Sequence, residues 1–180
     1  MAASSEPHVG PFMFIVFLLL LEAHHATSCY TAIFSFGDSL ADTGNLLASL
    51  GDSAGAVGQL PYGETYFGRP TGRFCDGRII IDFIAEAMGV PLVRPYLAGG
   101  SEEDFRHGAN FAVGGATALN GSFFKERGID FTWTEYSLDV QIELFKQLLH
   151  SRPSLSGYLL AFTVIVGQIS DKDTQVGEYI

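Results

Sequence analysis

The chain has 180 residues, the size of one domain, with 47% hydrophobic, 17% charged and 13% aromatic residues; that balance excludes a disordered tail, a coiled coil and a collagen-like fibre. Ten Lys+Arg against twenty Asp+Glu give a formal net charge of -10, and with the basic residues scattered the chain is a poor partner for nucleic acid or anionic membrane. Two cysteines, Cys29 and Cys75, exclude a disulfide-framework miniprotein and a Cys-rich zinc module.

Residues 12–21, FMFIVFLLLL, are ten uninterrupted apolar residues, and Ala26-Thr27-Ser28 follows with small residues at both ends. This pattern predicts a secretory signal peptide over residues 1–28, although no Lys or Arg precedes Phe12. The alternative is a membrane-facing anchor or a buried helix. The run is shorter than the about 20 residues a bilayer span requires, so no stable membrane insertion is expected. Export to an oxidising compartment permits a Cys29–Cys75 disulfide without establishing one.

Residues 30–36, YTAIFSF, are apolar and β-prone and stop at Gly37-Asp38-Ser39, which reads as a buried strand of a parallel sheet entering a turn. Residues 51–71 carry many Gly and Pro and predict a long surface loop. Residues 76–88 place Ile80, Phe83, Ile84, Ala87 and Met88 at helical spacing, with Gly89 as a left-handed stop and Pro91 beyond it. Residues 107–113, HGANFAV, predict a second strand. Leu138, Ile142, Phe145 and Leu149 mark one face of a helix that ends before Pro153. Residues 158–166, YLLAFTVIV, predict a third strand. Strands alternating with helices indicate an α/β layered fold with a parallel sheet.

In such a sheet chemistry collects at the carboxyl ends of the strands, where Ser39 falls. A serine hydroxyl is a poor nucleophile until a base takes its proton, and a turn at a strand end exposes Oγ to such a base. The same turn aims backbone N–H groups at a developing oxyanion. The tripeptide alone is more often an Asx or Ser turn. The wider text is more specific. Residues 32–45, AIFSFGDSLADTGN, residues 68–85, GRPTGRFCDGRIIIDFIA, and residues 108–119, GANFAVGGATAL, resemble in order the blocks of the secreted plant GDSL esterase/lipase family, the SGNH-type serine hydrolases. The resemblance covers roughly residues 29–150.

It implies a three-layer α/β/α sandwich with a parallel sheet, similar to flavodoxin-like folds, of which this chain holds the N-terminal portion. It implies Ser39 as nucleophile through an acyl-enzyme, with the Ser39 and Gly115 N–H groups in the oxyanion hole; Gly114 is the neighbouring choice for the glycine. It implies carboxylic ester hydrolysis without metal or organic cofactor, acting as a monomer on a small-molecule or lipid ester. Arg69 and Arg73 are expected to fix the loop around the site, and Trp133 and Tyr136 to serve packing, the alternative being the lining of an acyl or aromatic pocket. Residues 167–180 depart from the family pattern. Lys172 stands where the Gly-x-Asn-Asp block places its asparagine, and the family's C-terminal Asp-x-x-His is not found in its usual place.

Two literal matches to catalytic text are expected to be chance. Asp104-Phe105-Arg106-His107 lies ahead of the second block, and role follows geometry rather than motif text. Gly51-Asp52-Ser53-Ala54-Gly55 lacks the strand and helix of a nucleophile elbow. Asn120-Gly121-Ser122 is an N-glycosylation sequon that secretion would make usable. His150 suits a helix C-terminus, and no His/Cys/Asp/Glu spacing suggests a metal. The expected function is a secreted GDSL-type ester hydrolase, truncated here, with little activity and poor folding as residues 29–180 alone. The alternative is an inactive fragment or a secreted binding protein on the same scaffold.

Overall fold

The computed structural model describes residues 31–101, 103–129 and 133–153, and the backbone of 162–166. The expected signal peptide, Cys29 and residues 167–180 with Lys172 lie outside the described residues. Three strands, β1 (Ala32–Phe36), β2 (Gly108–Asn110) and β3 (Phe162–Val166), form a parallel sheet in the order β2-β1-β3, so the strand carrying the Gly-Asp-Ser turn is central.

Side chains alternate faces along a strand, and β1 uses both. Ala32, Phe34 and Phe36 pack with Phe105, Ala109, Phe111 and Leu148, and with Leu138, Leu144, Phe145 and Leu149 of one helix. Ile33 points the other way, into a cluster with Ile79, Ile81, Ala85 and Val93. The first of those helices is Leu138–Ser151 and the second cluster is built on Ile80–Ala87, so a helix covers each face of β1. Aromatic rings knit the first cluster. Phe34 and Phe145 have centroids 5.0 Å apart, Phe36 and Phe111 5.3 Å, and Phe111 and Phe145 5.7 Å. Burial of each such ring contributes about 1.5–3 kcal/mol.

In chain order, the α-helices among the described residues are α1 (Asn45–Leu50), α2 (Glu64–Phe67), α3 (Ile80–Ala87), α4 (Gly121–Lys125) and α5 (Leu138–Ser151), of which α3 and α5 cover β1. Several sequence expectations change; on α3, Ile80 and Phe83 of the expected apolar face are exposed, and Ile81 and Ala85 are buried instead. Residues 51–71 are not one loop, because Gly51–Gly58 winds as 3-10 helix and α2 follows; Val57 is buried, which anchors the segment against the body. The second strand is only three residues long, although the Phe111 and Val113 N–H groups continue to donate to the Ser35 and Gly37 carbonyls at 2.7 and 3.1 Å. In α5, Ile142 is exposed and Gln141 takes the buried place on that face.

Strand β2 begins where backbone meets backbone. Gly108 has φ +94, and a Cβ there would stand 1.9 Å from the Ile33 carbonyl oxygen. Gly108→Ala therefore forces β2 off β1 and strains φ together. In the full-length protein we expect loss of the cooperative thermal transition in circular dichroism; a variant melting like the full-length parent would contradict this packing.

Candidate active site

Ser39 follows β1 by three residues, is half-buried, and lies in the turn at the carboxyl end of the central strand. The turn is held from four directions. Asp38 accepts the Leu40 N–H on Oδ1 at 3.0 Å, and its carbonyl accepts the Ala41 and Asp42 N–H groups. Asp42 is fully buried and accepts four backbone N–H groups: Gly44 and Asn45 on Oδ1 at 2.7 and 2.6 Å, Leu46 and Gly114 on Oδ2 at 3.1 and 2.8 Å. Burial pushes its carboxyl above the ordinary aspartate range, against the pull of those four donors.

Two buried asparagines carry the connection on. Asn45 donates to the carbonyls of Asn110 and Ala112, both at 2.8 Å, and accepts the Leu97 N–H at 2.8 Å. Asn110 donates to the Ala41 carbonyl and accepts the Ala112 N–H at 2.7 Å. Asp42, Asn45 and Asn110 thus fasten the Gly37–Asp42 turn to the Gly114–Gly115 turn, and polar side chains buried this deeply persist because their hydrogen-bonding atoms are paired.

The fourth hold comes from α5. Gln141 accepts the Gly37 N–H on Oε1 at 2.9 Å, and its Nε2 donates to the carbonyls of Gly37 and Tyr136, each at 2.9 Å. Gly37 has φ +136, a conformation that side-chain-bearing residues avoid, and the amide clamps both of its backbone groups. Sequence reasoning missed Gln141, Asp42, Asn45 and Asn110 as site builders. A glutamine on the apolar stripe of α5 was the available signal. In Gln141→Leu the Gly37 N–H is buried without a partner, which costs about 1–3 kcal/mol. The expected result is a lower urea midpoint, and an unchanged midpoint would contradict the clamp.

The two glycines of the second turn differ. The Gly114 N–H is taken by Asp42, whereas the Gly115 N–H, like that of Ser39, donates to no group among the described residues. Gly115 has φ +83, and a Cβ on it would stand 2.5 Å from Cβ of Trp133, so exposed Trp133 lies directly against that turn. The ring of Phe74 lies in the same way against Gly114. Tyr136 is half-buried and serves Gln141 through its carbonyl.

Arg73 is 6% exposed and forms a two-pronged pair with fully buried Asp82, Nε to Oδ2 at 2.8 Å and Nη2 to Oδ1 at 2.7 Å. Its Nη1 donates to the Thr43 carbonyl at 3.1 Å, and its guanidinium lies 4.6 Å from the Phe67 ring centroid. Arg73 therefore fixes the loop, as expected; Arg69 is exposed. Asp82 also accepts the Ile79 N–H at 3.0 Å, which starts α3 four residues later than helical spacing alone suggests.

Neither histidine of the described residues reaches Ser39. The His107 carbonyl accepts the Ile33 N–H and its Nδ1 lies 2.9 Å from the Thr31 carbonyl, at the amino end of β1. The length of β1, about 15 Å, separates it from the Ser39 turn. Asp104 is engaged elsewhere, with Arg94 at 2.7 Å and with Ser101. His150 is nine residues past Gln141, about 13 Å along α5, near the point where Arg152 donates to the Gly100 carbonyl. Ser53 sits exposed in the 3-10 segment, which follows helix α1 rather than a strand. Among the described residues no cluster of metal-ligating side chains occurs and no helix is long and apolar enough to cross a membrane.

A family model described as GDSL-like Lipase/Acylhydrolase matches residues 33–170. GDSL esterase/lipase At5g45910 of Arabidopsis thaliana is 49% identical over 152 residues, 80% of this chain and 41% of its own length. GDSL esterase/lipase At1g28570 of the same plant is 52% identical over 145 residues, 78% and 37% of the two chains. A sinapine esterase of Brassica napus is 49% identical over 152 residues, 83% and 39%. The chain spans about two fifths of the length of these curated relatives. No solved structure matches it. The family match encloses the Ser39 turn, the Gly114–Gly115 turn and the strand between them, and it places this chain in the GDSL lipase/acylhydrolase family.

Proposed function

We propose that the chain is the N-terminal portion of a secreted carboxylic ester hydrolase in which Ser39 is the acyl-accepting nucleophile. The observation that carries the reading is the joining of two turns at one end of the sheet. Ser39 stands at the carboxyl end of the central strand, and Asp42 ties its turn to the glycine pair. With the Gly114 N–H engaged by Asp42, Gly115 is the glycine free to supply an oxyanion donor beside the Ser39 N–H.

The reaction then proceeds in two halves. Ser39 Oγ attacks the ester carbonyl as a base removes its proton. The two N–H groups receive the charge that develops on the carbonyl oxygen, the alcohol leaves, and water resolves the acyl-enzyme. His107 and His150 lie too far from Ser39 to act as the base, so the base comes from the Asp-x-x-His segment that the family carries beyond the matched portion. The sheet and its two covering helices fit the start of a three-layer α/β/α sandwich, with residues 29–180 as its N-terminal part and residues 1–28 as a leader that is removed.

The test uses a full-length version carrying the Gly-x-Asn-Asp and Asp-x-x-His segments. It should hydrolyse a short-chain p-nitrophenyl ester with a burst of one product equivalent per enzyme, the mark of an accumulating acyl-enzyme. A choline ester of a phenolic acid belongs in the same assay, because a relative is named a sinapine esterase. Failure to cleave any carboxylic ester would refute the proposal.

A further inference from the structure

We propose that Asn120 is a site of N-linked glycosylation; the inference rests on the reading that the chain is exported. The chain has three asparagines, Asn45, Asn110 and Asn120. Asn45 and Asn110 are fully buried with their amides spent on the scaffold, and neither begins a sequon. Asn120 is the opposite case. Asn120, Gly121 and Ser122 are all exposed, and a Cβ on Gly121 would meet nothing within 4 Å. The sequon therefore sits on open surface, with room for a bulky polar group.

The local hydrogen bonding accommodates the modification. Asn120 is the N-cap of α4, with extended backbone (φ -72, ψ 163). Its Oδ1 accepts the Phe123 N–H at 3.1 Å and the Ser122 hydroxyl at 2.6 Å. Asp139, at the start of α5, is held below the ordinary aspartate range chiefly by the Ser137 hydroxyl, with Asn120 a smaller contributor. Glycosylation forms a bond from Nδ2 to C1 of the first sugar of a polyprenyl-diphosphate-linked oligosaccharide. The C1–O bond to the diphosphate breaks, the diphosphate leaves, and Nδ2 gives up one proton. Oδ1 stays an acceptor, so the cap of α4 survives.

The experiment expresses the chain in eukaryotic cells in two forms, one with its own residues 1–28 and one with a proven secretory leader in their place. Microsomes and medium are both treated with peptide N-glycosidase, so retention inside the cell does not hide the result. The expected result is a mobility shift of one glycan, lost completely in Asn120→Gln and in Ser122→Ala and kept in Ser122→Thr. Ser122→Ala leaves the Asn120 cap on Phe123 in place, so loss of the shift there cannot be put down to a missing cap. No shift in the form with the proven leader would overturn the site. A shift in that form alone would sustain the site and refute the export reading.

Discussion

Ser39→Ala is expected to lower kcat for ester hydrolysis by about 10⁶-fold in the full-length enzyme, the loss seen when a comparable hydrolase loses its nucleophile. The residual rate, about 10³–10⁴ over water, would come from substrate binding and the oxyanion donors. The substitution removes one oxygen that accepts and donates no hydrogen bond among the described residues, so the thermal midpoint should hold. Two controls locate the effect. Ser53→Ala alters an exposed 3-10 segment and His107→Ala alters the amino end of the sheet, so both should keep near-parental turnover. A fall in either that matches Ser39→Ala would show that the literal Gly-x-Ser-x-Gly or Asp-x-x-His text was the true catalytic element.

The second large effect concerns stability. Asp82→Ala is expected to cost about 3–5 kcal/mol, because it leaves the Arg73 guanidinium buried beside a lost partner. Arg73 holds the Thr43 carbonyl of the serine turn and Asp82 caps α3, so one pair fixes both the site loop and a helix start. Against a total stability of about 5–15 kcal/mol, this loss leaves a large unfolded fraction. Replacing the pair together, Arg73→Met with Asp82→Leu, should cost less than Asp82→Ala, since no charge is then stranded. Urea unfolding of the three proteins measures the order; equal midpoints for parent and Asp82→Ala would contradict a buried, energetically coupled pair.

The central strand was legible because burial on both faces leaves a continuous apolar run, and the long helix because its apolar residues recur with the helical period. Ala32, Phe34 and Phe36 alternate with Ile33, and Phe145 and Leu149 recur at helical spacing. The stop of α3 was legible as well, since Gly89 has the positive φ of 68 that its residue type favours. Hydrophobic spacing could not find Gln141, whose buried place depends on a backbone group 104 positions away. It could not choose between Gly114 and Gly115 either. Asp42 takes the Gly114 N–H and not that of Gly115, and that contact spans 72 positions. The helical turns within residues 51–71 were hidden because Gly and Pro in that stretch read as loop, while buried Val57 and the Gly63 and Thr65 N–H bonds to the Cys75 and Asp76 carbonyls anchor the segment.

The identity of the nucleophile can be read from a single covalent adduct. The full-length enzyme is treated with a fluorophosphonate, digested, and the modified peptide sequenced by mass spectrometry. The predicted result is one phosphonyl group per chain, on Ser39, with Ser53 and the other serines unmodified and no adduct formed after heat denaturation. An adduct on any other serine, or labelling of Ser39→Ala at the parental rate, would contradict the assignment.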